Sequence, residues 1–146
     1  MSLKTIASLV FFFCSILGYA QDWKTSYADA LESSKTQNKP LILVFAGSDW
    51  CAPCIKMDRS IWQSSEFKAY AAQNYILYKA DFPRKKNNQL SEELRNQNSK
   101  LAEQFNKEGH FPLVIMLDGS EKVLGKMGYK KLNPDSYISL LNTFIE

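Results

Sequence analysis

The chain has 146 residues, 45% hydrophobic and 13% aromatic, enough to build one core and one domain. Its 18 basic and 15 acidic residues leave a formal net charge of +3, a balance that does not mark a nucleic-acid or membrane-surface binder. Beyond the first twenty residues no stretch approaches the roughly 20 apolar residues of a spanning helix, which argues against stable membrane insertion.

In chain order, Lys4 precedes an apolar run from Ile6 to Leu17 and then Gly18-Tyr19-Ala20. This reads as a secretory signal peptide over residues 1–20, cleaved after Ala20, with an apolar core too short to span a bilayer. Cys14 follows three phenylalanines instead of small residues, which argues against lipid attachment. The mature domain is therefore expected over 21–146, exported to the periplasm or the exterior. It keeps 17 basic and 15 acidic residues, and its cysteines are Cys51 and Cys54.

Residues 22–35 place Trp23, Tyr27 and Leu31 at helical spacing. The run 41–46, "LILVFA", reads as a strand buried on both faces. From Cys51 to Trp62 the apolar spacing predicts a helix, with Ser48 or Asp49 as N-cap and Pro53 in the tolerated first turn. Ser64 or Ser65 opens a further helical segment, and 75–82 reads as a second strand. The polar stretch from Arg84 to Lys100 carries leucines at helical spacing and reads as a solvated helix, with a partner-binding face as the alternative. Residues 112–117 and 122–127 form a predicted hairpin around an Asp118-Gly119 turn, and Asn133-Pro134 opens the last helix. The order predicts an α/β domain, its first two strands parallel and its last two antiparallel.

Cys51-Ala52-Pro53-Cys54 thus falls where a central strand gives way to a helix. The unsatisfied N–H groups of a helix start favour thiolate over thiol. Cys51, expected to be the more exposed, is the candidate nucleophile, and Cys54, one turn further in, is placed to resolve a mixed disulfide. A structural staple is disfavoured because so short a loop returns little crosslinking entropy. A zinc site would need four ligands, and with His110 the single histidine Cys51, Cys54 and His110 would have to recruit a carboxylate, so metal handling is the minor reading and no bound metal is expected.

The motif "WCAPC" resembles the Trp-Cys-Gly-Pro-Cys of thioredoxins, and residues 22–146 resemble a thioredoxin-family domain, close to exported members such as the C-terminal domain of DsbD-type thiol:disulfide interchange proteins. The resemblance implies a thioredoxin-like fold, a central mixed four-stranded sheet flanked by helices. It also implies a cis bond before Pro112, with Phe111 as a peptide contact and Trp50 on the rim beside the cysteines. Thioredoxins carry a buried aspartate six residues before the first cysteine, where this chain has Phe45. Asp58, four residues after Cys54, matches an acid of the DsbD-type domain and is the expected substitute, and Lys79 matches a thioredoxin lysine near the buried acid. His110 reads as a surface residue. The expected function is an exported thiol:disulfide oxidoreductase of reducing character acting on protein thiols and disulfides. It would use no cofactor and be re-reduced by a membrane electron donor. The alternatives are a peptide-binding or chaperone module, or an oxidase or isomerase.

Overall fold

The computed structural model describes residues 21–146; the expected signal segment lies outside them. In chain order the elements are helix α1 (Tyr27–Gln37), strand β1 (Leu41–Ala46), helix α2 (Ala52–Met57) continuing as a π-helical turn (Asp58–Trp62), helix α3 (Ser65–Asn74), strand β2 (Ile76–Asp81), helix α4 (Glu92–Phe105), strands β3 (Leu113–Leu117) and β4 (Val123–Met127), and helix α5 (Pro134–Asn142). The sheet order is β2-β1-β3-β4, with β1 parallel to β2 and antiparallel to β3, and β3 antiparallel to β4. This is the mixed four-stranded sheet of the thioredoxin-like fold expected above.

β1 is central and buried along its whole length. Its side chains alternate between two cores. Ile42, Val44 and Ala46 join the cysteines, Trp62, Phe67 and Tyr137 on one face, while Leu41, Leu43 and Phe45 join Tyr27, Tyr78 and Leu101 on the other. Period-two alternation thus fills both layers, which is why the strand reads as a continuous apolar run.

α1 starts five residues later than the spacing suggested. The Ser26 hydroxyl accepts from the Asp29 N–H at 3.1 Å and caps the helix. Before it the chain is extended, with Trp23 bridged to Leu77 and the Lys24 N–H donating to the Leu77 carbonyl at 2.9 Å. The Trp23 ring meets Trp62 edge-on at 5.9 Å while Tyr27 enters the opposite core, so their four-residue spacing does not make one helical stripe.

The cap of α2 also differs. Neither Ser48 nor Asp49 fills it, because both carboxyl and hydroxyl groups nearby are engaged with the β2 end; Cys51 itself is the N-cap. The β3–β4 connection is longer than a two-residue Asp-Gly turn. The Asp118 N–H donates to the Lys122 carbonyl at 3.0 Å, the Asp118 carboxylate accepts from the Ser120 and Lys122 N–H groups, and the left-handed residue is Glu121, at φ 66°. Ser64 caps α3, Ser91 caps α4 and Asn133 caps α5, each through its side chain.

Candidate active site

β1 ends at Ala46, and the chain turns on Gly47, whose carbonyl accepts from the Cys51 N–H at 2.9 Å. A β-carbon at Gly47 would lie 2.2 Å from the Trp50 ring, so the absence of a side chain lets the indole fold over the turn. Trp50 is then fixed from two sides. Its Nε1–H donates to the Phe82 carbonyl at 2.7 Å, and the Arg84 guanidinium stacks 3.7 Å from its ring.

Cys51 and Cys54 form a disulfide with 5.2 Å between their α-carbons. The Cys54 N–H donates to Cys51 Sγ at 3.3 Å. The sulfur therefore occupies the place of a capping oxygen, and the orphan donor of the first turn points at the atom that becomes a thiolate on reduction. Pro53 sits in that first turn, where its missing N–H costs no hydrogen bond. The expected difference in exposure is absent: both cysteines are 5% exposed, since the bonded pair is packed as one unit against the core. What separates them is environment, a backbone donor at Cys51 and a cavity at Cys54.

That cavity, about 280 Å³, is lined by Cys54, Pro112, Val44, Ala46, Asp58 and Lys79 among others. The Phe111-Pro112 bond is cis, as the resemblance implied, and the Phe111 ring meets Trp50 and Phe82 edge-on, each at 5.5 Å. Asp58 follows α2, with its N–H donating to the Cys54 carbonyl. Its carboxylate meets Lys79 Nζ at 3.1 Å, and the ammonium also lies 4.8 Å from the Trp23 ring. The two charged residues matched separately in the sequence are thus one ion pair on the wall of the cavity that Cys54 faces.

Phe45 requires a correction. It belongs to the core on the far side of the sheet from the cysteines, so counting six residues back from Cys51 reaches the wrong face. The β1 side chains on the cysteine face are Val44 and Ala46. Both are apolar, so β1 offers no carboxylate to Cys54. His110 lies at the surface, its side chain 64% exposed and 3.5 Å from the Glu108 carboxylate. Its backbone is held by the Asn106 side chain, with an N–H and a carbonyl contact of 2.9 Å each. It does not line the cavity beside Cys54. Among the described residues no three His, Cys, Asp or Glu side chains gather as a metal site.

The sequence reading missed how the motif is anchored. Asp81 accepts from the Ser48 N–H at 2.9 Å and its hydroxyl at 2.5 Å. Asp49 accepts from the Arg84 and Lys85 N–H groups at 2.9 Å each and from Asn88 at 3.0 Å. The Arg84 N–H above all, helped by Asn88, holds the Asp49 carboxyl below its usual range. The residues Ser48, Asp49 and Trp50 all reach across, Ser48 to the last residue of β2 and the other two to the segment after it. The sole sequence signal was a run of polar residues beside the cysteines, which read equally well as caps.

A disulfide closed across the first turn of a helix, facing a cis-proline on a β2-β1-β3-β4 sheet, defines a thioredoxin-fold thiol:disulfide oxidoreductase. The chain belongs to the thioredoxin-like family, whose model matches residues 22–119. It is 41% identical over 121 residues to the disulfide bond reductase DsbH of Chlamydia pneumoniae, covering 83% of this chain and 71% of that protein. The solved structure of a DsbH oxidoreductase superposes with a TM-score of 0.80 at 40% identity, covering 86% of this chain and 85% of that one. The oxidised C-terminal domain of DsbD from Neisseria meningitidis shares the fold, with a TM-score of 0.56 at 17% identity over 80% of this chain and 90% of that domain. Among the described residues no helix is long and apolar enough to cross a membrane.

Proposed function

We propose that the protein is an exported disulfide reductase, its domain spanning 21–146 after loss of residues 1–20, that reduces protein disulfides through Cys51 and Cys54. The Cys51 thiolate attacks one sulfur of the substrate disulfide. A Cys51–substrate bond forms and the other substrate sulfur leaves as a thiolate. Cys54, as thiolate, then attacks Cys51 Sγ and breaks the intermolecular bond. Two electrons have passed to the substrate, the two protons of the protein thiols end on the substrate thiols, and the Cys51–Cys54 disulfide remains. A membrane electron donor restores the dithiol.

Asp58 takes the Cys54 proton across the cavity, and Lys79 holds the carboxylate in place. Phe111, just before the cis-proline, offers its backbone to an extended substrate segment, and Trp50 shields the reacting sulfurs from water. Pro53 keeps the first turn in place without adding a donor side chain.

The observation that carries the reducing direction is the hydrogen bond to Cys51 Sγ. Among the described residues it comes from the Cys54 backbone, while Ala52 and Pro53 contribute no donor side chain. Strong oxidants owe their potential to a heavily stabilised reduced form, near −120 mV, whereas thioredoxin lies at about −270 mV. The 41% identity to a protein named a disulfide bond reductase supports the same direction. The test is to recover the mature chain from outside the cytoplasm and titrate it in dithiothreitol and glutathione buffers. A mature chain beginning at Gln21 and titrating near −270 mV is expected; retention in the cytoplasm with residues 1–20 attached, or a potential near −120 mV, overturns the reading.

A further inference from the structure

The basic residues are unevenly placed. Residues 82–90 contain Arg84, Lys85 and Lys86 and no acid, and residues 122–134 contain Lys122, Lys126, Lys130 and Lys131 and no acid. The first segment adjoins the cysteines through Trp50, and the second adjoins Pro112. The first carries Arg84 on the face of Trp50, the residue before Cys51, at 3.7 Å, and it is fastened by Asp49 through two backbone N–H groups and Asn88. The second passes Pro112, since a β-carbon at Gly128 would lie 3.8 Å from the Pro112 carbonyl oxygen, and its Tyr129 packs against the core that holds both cysteines.

Arg84, Lys85, Lys86, Lys130 and Lys131 are all exposed. Asp49, held by that segment's own N–H groups, and Asp81, held by Ser48, offset part of this charge and leave three cations against two carboxylates at the first segment. The Asp49 contacts fix the backbone of Arg84 and Lys85, so the positive charge is presented at a set position and does not travel on a loose loop. A potential of one sign beside a reacting atom raises the encounter rate of partners of the opposite sign.

We propose that the thiol-exchange partner is a polypeptide with carboxylates on both sides of its reactive cysteine, received between the Arg84-Lys85-Lys86 rim and the Lys130-Lys131 rim. This rests on the thiol:disulfide reading of Cys51 and Cys54. A polypeptide is the fitting occupant because the first rim starts at Arg84 on Trp50, beside Cys51, and the second follows Gly128 beside Pro112, so a chain reaching from one to the other passes the Phe111-Pro112 backbone.

The test uses two disulfide peptides identical except that Asp and Glu flank the cysteines in one and Asn and Gln in the other. The reduced protein, Lys85→Gln/Lys86→Gln, Lys130→Gln/Lys131→Gln, and the remote control Lys68→Gln/Lys100→Gln are each mixed with both. At low salt the acidic peptide is expected to react about tenfold faster than the neutral one, the lower end of electrostatic steering. That ratio falls towards one in about 0.5 M salt, where screening shortens to a few ångströms. It falls by several-fold in either rim variant and stays unchanged in the control. Equal rates at low salt, or a ratio that the rim variants leave intact, overturn the proposal alone. Salt-sensitive binding to phosphatidylglycerol vesicles combined with equal peptide rates assigns the charge to a membrane surface and also overturns it. Failure of the wild-type dithiol to reduce either peptide overturns the exchange reading itself, and the proposal with it.

Discussion

Asp58 and Lys79 lie in different elements, yet their charged ends meet at 3.1 Å on the cavity wall shared with Cys54. With side chains 36% and 29% exposed, the pair is worth at most about 1 kcal/mol to the fold. Stability is therefore a poor explanation for placing it there, and proton transfer at Cys54 is a better one. Asp58→Asn keeps the shape and removes the acceptor. Formation of the Cys51 mixed disulfide should continue, while its resolution by Cys54 slows roughly a hundredfold, the low end of general-base effects. Acid-quenched single turnovers analysed by mass should show the intermediate accumulating, and raising the pH should restore the rate as solvent takes the proton. If resolution is unchanged at every pH, Asp58 serves only as a partner for Lys79. At this scale the cysteines were legible because their spacing and local position carry their chemistry. The Asp58–Lys79 contact was not, because it joins a helix end to a strand 21 positions away.

The elements divide in the same way. The buried run of β1 and the Asn133-Pro134 start of α5 are local patterns, and each yields its element within a residue or two, whereas α4 begins at Glu92, capped by Ser91, eight residues beyond the Arg84 start of the stretch read as a helix, and runs on to Phe105. The start of α1 differs from the spacing because Trp23 and Tyr27 share a spacing but not a sheet face. The Ser48-Asp49-Trp50 anchor was invisible because its partners lie 32 to 39 residues on. Its energetics follow from Asp49. Because the Arg84 N–H holds the folded carboxyl below the ordinary value of about 3.9, the contribution is complete above that value and is lost as pH falls through the lower, folded one. Asp49→Ala should speed hydrogen exchange at the Arg84 and Lys85 amides by more than tenfold at neutral pH. In the wild type the same amides should lose protection only on strong acidification. Unchanged exchange in the variant would show that Arg84 stacking on Trp50 suffices to hold the segment.

Across the whole molecule, β1 separates two cores, and which core a residue joins decides whether it can act on the cysteines. The family resemblance counted six residues back and reached Phe45; the structure puts Phe45 on the far face, 0% exposed, and leaves Val44 beside Cys54, paired in register with Lys79. Linear counting fails here because a one-residue difference in the turn between strand and cysteine exchanges the two faces. A carboxylate introduced at each position makes the point testable. Phe45→Asp removes a large ring and strands a charge in the core behind the sheet, at a cost of about 4 kcal/mol or more, with no route to Cys54. Val44→Asp places its carboxyl in the cavity opposite Lys79, where the ammonium offsets part of the burial cost. Urea unfolding of the oxidised proteins should rank Val44→Asp well above Phe45→Asp, and of the two only Val44→Asp should change the pH dependence of mixed-disulfide resolution. Equal destabilisation of the two, or an altered resolution profile in Phe45→Asp, would place the functional face of β1 on the side that Phe45 occupies.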